Sequence, residues 1–358
     1  MFSNPFSPVF GGKPDVFFGR GEILKRFDHA MSDPGSDDRA IFITGTRGSG
    51  KTALLEQLSI RAAAKSRKVI DLGPDETISQ LIYSCAGAVS KTEIIGREKL
   101  QNLVMETCSK NKKGLLVTVD EIQKVPLEDV SSLSNAFQMA SRKGCDIMLA
   151  VAGLPYAYSD VIKHEGCTYL RRAVHEELGL FTWKEASDAF NSIFSVVKGL
   201  SVDQATIDKL NQASYGHPYL MQLLGYHLIL LVNYNEKGKK HTVTDDETRE
   251  AIKNALFAYE QRALKPLVNE LPGRERSYLE KMSECLDLER LAGTSDIARS
   301  MGLAANKLSK PRAYLIDHGI IASPEHGKVM FCIPYLADYM KKDEQNTNAI
   351  DVARQRRV

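Results

Sequence analysis

The chain has 358 residues, enough for two or three domains. It is 43% hydrophobic and 26% charged with a formal net charge of +2, so neither sign is in surplus to point at nucleic acid, a membrane surface or an acidic substrate. Its six cysteines, Cys85, Cys108, Cys145, Cys167, Cys285 and Cys332, form no C-x-x-C pair, which argues against a zinc ribbon or thioredoxin-like site and suits a reducing, cytoplasmic setting.

Residues 1–16 are rich in Pro, Phe and Gly and read as a segment that wraps a surface, without the basic-then-apolar pattern of a signal peptide. Phe18-Gly19-Arg20 leads into an amphipathic helix over Glu22–Met31, and Ser32–Asp38 (SDPGSDD) is a turn-rich linker. Ile41–Thr44 is an apolar run that reads as a buried parallel strand. Gly45-Thr46-Arg47-Gly48-Ser49-Gly50-Lys51-Thr52 then fits the P-loop pattern G-x-x-x-x-G-K-[ST], with Ala53 continuing into a helix. Glycines let backbone N–H groups close around a phosphate, and the helix start adds unpaired N–H groups and a positive dipole end. Lys51 is a point charge for the β- and γ-phosphates, and Thr52 offers a hydroxyl to Mg²⁺.

Lys68–Leu72 reads as the second strand, and Thr77–Val89 and Ile94–Lys110 read as helices. Leu115–Val119 is an apolar strand ending in Asp120-Glu121. Behind a full P-loop, Asp120 suits a metal-holding carboxylate and Glu121 the base that orients and deprotonates a water. Val130–Lys143 is a helix, and Asp146–Ala152 a fourth strand that ends in Ala152-Gly153, with no polar side chain to sense a γ-phosphate. Arg171-Arg172 precede a fifth strand over Val174–Leu180 and have two readings: an arginine finger, with Arg171 preferred, or helix-end arginines paired with Glu176 or Glu177.

From Phe181 onward the apolar periodicity is helical, and no further strand is expected before the C-terminal segment. Thr182 and Glu185 read as a capping box, and Thr244 as the cap of a helix from Asp245 to about Leu264. Leu220–Val232, the longest apolar run, is interrupted by Gln222, Gly225 and His227 and is too short to span a bilayer. It follows Gly216-His217-Pro218, where Pro218 starts a helix. Pro266, Pro272 and Gly273 mark a boundary. Arg274–Cys285, Thr294–Gly302 and Ser309–Gly319 read as helices, the last capped by Ser309, followed by a hairpin over Ile320–Ile333 and a closing helix. That order is a winged helix-turn-helix. Its charge is nearly balanced, so duplex DNA and a protein partner both stay open. Asn306, Lys307, Ser309, Lys310, Arg312, Lys328, Arg354, Arg356 and Arg357 are the residues that would meet DNA.

F-G-R-x-E, the P-loop, the Asp-Glu strand, the Arg pair, the G-x-P helix start and a C-terminal winged helix together resemble archaeal-type and STAND-like AAA ATPases related to the Orc/Cdc6 group. The resemblance implies an α/β fold of the ASCE P-loop type, with parallel strand order 5-1-4-3-2, a helical lid and a C-terminal winged helix-turn-helix. The expected division is 1–180 ATPase core, 181–265 lid, 266–345 winged helix and 346–358 basic tail. It implies ATP/ADP and Mg²⁺ as ligands, ATP hydrolysis, double-stranded DNA and a homo-oligomer as partners, and no membrane. Lys51, Glu121 and Arg171 carry the catalytic roles. Arg20, Gly45, Thr46, Arg47, Gly48, Ser49, Gly50, Lys51, Thr52, Ala53, His217 and Pro218 contact nucleotide, and Thr52 and Asp120 hold the metal. Two functions compete: an ATPase that moves the winged helix on DNA, and a slow or non-hydrolysing signalling scaffold whose winged helix binds protein. A P-loop transferase is disfavoured by the long helical segment and the winged segment.

Overall fold

A computed structural model describes residues 1–9, 16–73, 81, 97–235 and 240–343. Two expectations fall largely outside them: the helix over Thr77–Val89 and the tail arginines Arg354, Arg356 and Arg357. The chain divides into two units, Val9–Gly179 and Met1–Pro8 with Leu180–Val358.

In the first unit, β1 (Ala40–Gly45), β2 (Lys68–Leu72), β3 (Leu115–Val119), β4 (Ile147–Gly153) and β5 (Val174–Leu178) form one parallel sheet of order β2-β3-β4-β1-β5. This is the order 5-1-4-3-2 expected from the sequence, read from the other edge. The three central strands, β1, β3 and β4, are fully buried, near-continuous apolar runs because both faces are covered, whereas the edge strands β2 and β5 carry charged, partly exposed residues. Phe42, Val117, Leu149 and Val151 point to one face, which packs on α3 (Arg97–Lys110) and α4 (Leu127–Arg142) through Leu100, Val104, Leu133 and Phe137. Ile41, Ile43, Leu116 and Met148 point to the other, which packs on α1 (Gly21–Ala30) and α2 (Lys51–Ala64) through Leu24, Phe27, Leu54 and Leu58. The alternation follows from the two-residue period of a strand. α5 (Pro155–Lys163) and α6 (Thr168–Arg171) connect β4 to β5.

The second unit is mainly helical. α7 (Trp183–Ser195), α8 (Gln204–Ser214), α9 (Pro218–Asn235) and α10 (Asp245–Tyr259) bury Phe190, Leu210, Leu224, Leu228 and Tyr259 between them. Both expected capping boxes form, Thr182 with Glu185 and Thr244 with Glu247. One expectation fails: β6 (Leu200–Ser201) and β7 (His241–Thr242) make a short parallel ladder where no strand was expected. Two-residue strands leave no periodicity to read. The helix expected to stop near Leu264 does not stop at Pro266 either. It passes through a π-turn, Glu260–Leu264, into α11 (Lys265–Glu270). Pro266 stands at the start of that segment, directly after the π-turn.

α12 (Gly273–Glu284), β8 (Ala292–Gly293), α13 (Thr294–Ser300), α14 (Ser309–Asp317), β9 (Ile321–Ala322), β10 (Lys328–Phe331) and a helix over 336–343 follow in the anticipated order. β8, β10 and β9 make a three-stranded antiparallel sheet, so the expected hairpin carries one extra strand. Ser309 does not cap α14. Its hydroxyl donates to the Asn306 carbonyl at 3.0 Å, because a 3₁₀ turn over Ala305–Leu308 runs directly into the helix and displaces the cap to Leu308. Gly319 (φ 67°) ends α14 as anticipated.

Candidate nucleotide-binding site

β1 ends at Gly45, and the loop 46–50 carries the chain into α2. Gly48 (φ 80°) and Gly50 (φ 94°) adopt left-handed conformations that a side chain would strain. α2 has Gly50 at its N-cap and no side-chain cap, so its first N–H groups point free of any capping side chain toward the loop. Lys51 is buried, and its ammonium donates to the carbonyls of Gly45 and Thr46, both at 2.9 Å. Burial pulls its pKa below the ordinary lysine value; Glu121 and Asp120 oppose that shift, and Arg47 adds to it. Ser49 Oγ is buried and has no hydrogen-bond partner among the described residues.

The second motif meets the first. Thr52 Oγ1 donates to Asp120 Oδ2 at 2.6 Å, and Asp120 Oδ1 accepts the Glu121 N–H at 2.8 Å. Glu121 has φ 52°, an uncommon conformation for a residue with a β-carbon. Behind the pair, Asp71 accepts from Ser59 at 2.6 Å and from Thr118 at 2.7 Å, tying α2 to β2 and β3.

Arg20 is brought to the same end of the sheet. It lies at the start of α1 with φ 59°, and its guanidinium donates to the Gly179 carbonyl, one residue past the Gly45–Leu178 pair. Arg171 is not at that end. It ends α6, before β5, and Val174 pairs with Ile41 while Leu178 pairs with Gly45. Four strand steps, about 13 Å, therefore separate the start of β5 from the P-loop end. Arg171 donates to the His164 carbonyl at 2.9 Å, and Glu176, one of the two carboxylates offered as partners for the arginine pair, is bonded to Arg26. His217 and Pro218 belong to the helical unit, where His217 is buried, meets the Tyr259 ring edge-to-face and accepts the Leu220 N–H on Nδ1 at 3.4 Å.

Asp120 and Thr52 fit a divalent cation that takes the rest of its oxygen shell from nucleotide phosphates and water. Among the described residues no cluster of three or more His, Cys, Asp or Glu could hold a metal by itself. The buried unpartnered Ser49 hydroxyl, the uncapped helix start and the left-handed glycines fit a phosphate chain. Sequence reading missed the Ser59–Asp71–Thr118 network, which is formed by contacts between three separate elements. No helix among the described residues is long and apolar enough to cross a membrane.

The parallel sheet and the loop make a P-loop fold of the AAA type: residues 33–159 match the AAA domain model, and residues 261–340 match a domain of unknown function (DUF8462). The fold of the chain is that of archaeal Orc and Cdc6 proteins. The Aeropyrum pernix ORC2 protein, solved as ADPNP–ADP complexes, is 16% identical with a TM-score of 0.64, over 94% of this chain and 96% of that one. Cdc6p from Pyrobaculum aerophilum is 13% identical with a TM-score of 0.54, over 94% and 96%. The Aeropyrum pernix ORC1 protein, solved in complex with DNA, is 15% identical with a TM-score of 0.51, over 94% and 95%. No curated protein matches.

Proposed function

We propose that the chain binds ATP and ADP with Mg²⁺ in the P-loop, hydrolyses ATP, and uses its nucleotide state to control a C-terminal winged helix on duplex DNA. The observation that carries this reading is the 2.6 Å bond joining Thr52 to Asp120 beside the buried Lys51. Lys51 exchanges its two carbonyl partners for phosphate oxygens, which restores the charge-favouring surroundings that burial removes. Thr52 and Asp120 would hold Mg²⁺, which neutralises charge developing on the phosphate oxygens. Glu121 accepts the proton of the attacking water. Arg171, at the far end of β5, cannot serve its own P-loop without large rearrangement, so a finger role would be served in a homo-oligomer, from a neighbour. Replacing Lys51 by Ala should weaken ATP and ADP binding by about 100-fold or more, read by titration calorimetry. Undiminished binding would sink the reading.

The likeness to an ORC1 protein solved with DNA supports the DNA arm. Asn306, Lys307, Ser309 and Lys310 are exposed, as that arm requires. A second reading, the signalling scaffold with a protein partner, is favoured by Lys328, whose ammonium lies 3.6 Å from Glu325 and 4.0 Å from Asp287. Duplex affinity that falls steeply with salt supports DNA contact; no salt-dependent duplex binding favours the scaffold.

A further inference from the structure

The fourth strand ends in Ala152-Gly153-Leu154, which supplies no polar side chain where β4 reaches the site. A polar group is nevertheless present there, and it comes from the neighbouring strand. β3 and β4 are paired, with Val119 opposite Val151, so the turns that follow them lie side by side. In the 3₁₀ turn Ile122–Lys124 after β3, the Gln123 side chain crosses to β4. Its Oε1 accepts the Leu154 N–H at 3.1 Å, and its Nε2 donates to Glu121 Oε2 at 2.8 Å. This orientation is the one that chemistry allows: a backbone N–H can only donate and a carboxylate can only accept, so the amide oxygen must face Leu154. Gly153 makes room for the crossing. A β-carbon there would stand 2.8 Å from Gln123 Oε1.

Glu121 needs such a tether. Its backbone is left-handed, its side chain has three rotatable bonds, and its ion-pair partner, Lys124 at 3.3 Å, is mostly exposed and constrains it weakly. We propose that Gln123 is a positioning residue for hydrolysis: it locks the Glu121 carboxylate to the end of β4, taking the place of a polar residue on that strand. This rests on the reading of Glu121 as the base. A base held in one pose gives up less orientational freedom when it meets the attacking water. The second oxygen of Glu121, Oε1, then takes the proton while Oε2 stays on the amide.

Two substitutions separate positioning from folding. Gln123→Leu keeps the bulk and removes both bonds. Gln123→Glu keeps the acceptor for Leu154 but sets a carboxylate against Glu121. Steady-state ATP hydrolysis and ADP titration are measured on the full-length protein and both variants from about pH 5.5 to about pH 8. Positioning predicts kcat lower by about 10-fold for Gln123→Leu, with KM and ADP affinity within about twofold of wild type. It predicts a larger loss for Gln123→Glu at the alkaline end that narrows toward the acid end, where the introduced carboxyl, once protonated, can donate as the amide did. Variants whose kcat matches wild type overturn the positioning role alone, as does a pH-independent loss shared equally by kcat and ADP affinity. A wild type that binds ADP but shows no turnover overturns the reading of Glu121 as base, and the positioning role with it.

Discussion

Asp146 shows what one side chain contributes at the end of the sheet opposite the P-loop, just before β4. It accepts from Arg39 and, at 2.9 Å, from Arg67, and both arginines are buried. The arginines also donate to the Ala30, Ile147 and Met31 carbonyls, so the loop after α1 is fixed to the start of β4. Burial alone would push the Asp146 carboxyl up, but the hydrogen bonds and charges of Arg67 and Arg39 outweigh it and hold its pKa below the ordinary value. A carboxyl lowered in the folded state contributes stability above its unfolded pKa, about 3.9, and loses it as pH falls through the folded value. Asp146→Asn should therefore cost about 2 kcal/mol in urea unfolding at pH 7, after allowance for the partial exposure of the carboxylate. The difference from wild type should shrink below about pH 3. A pH-independent difference would mean that the ion pairs are not its source.

At the scale of elements, the caps are the features that local sequence chemistry decides. Thr182 accepts the Glu185 N–H, and Glu185 returns a bond to the Thr182 N–H at 2.8 Å, closing the start of α7. Thr182→Ala should destabilise the chain by about 1 kcal/mol, and Thr182→Asn should restore most of it, both read by denaturant midpoint. Features of this kind were legible in the sequence because donor and acceptor lie three residues apart. The three central strands β1, β3 and β4 were legible for a related reason: each is an apolar run buried on both faces. Gln123 was not, because its partner Leu154 is 31 residues away and nothing local marks the contact. The anchor of Arg20 at Gly179 is visible only once β5 is paired with β1. The π-turn was hidden because Pro266 alone reads as a stop signal, and only the geometry shows the helix absorbing it.

At the scale of the molecule, the P-loop unit is inserted in sequence within the helical one, since residues on both sides of it belong to the latter. The first eight residues are held there by side chains of α9. Asn233 accepts the Phe2 N–H at 2.7 Å and donates to the Phe2 carbonyl at 3.0 Å, and Gln222 accepts the Ser7 N–H at 2.9 Å. Phe6 is 2% exposed, packs on Phe190 and Phe194, and crosses α9 at Gly225, where a β-carbon would stand 2.2 Å from its ring. The expectation that this segment wraps a surface holds for residues 1–8. Phe6→Ala should cost about 3–4 kcal/mol and raise amide exchange in α7 and α9. Unchanged exchange there would show that the segment adds nothing to the helical unit. The central claim, an ATPase with Glu121 as its base, is tested most directly by steady-state ATP hydrolysis of wild type and Glu121→Gln, with nucleotide binding measured alongside. The account predicts turnover by the wild type, and a variant that still binds ATP but loses about 100-fold or more in kcat. Equal turnover by the two proteins would contradict it.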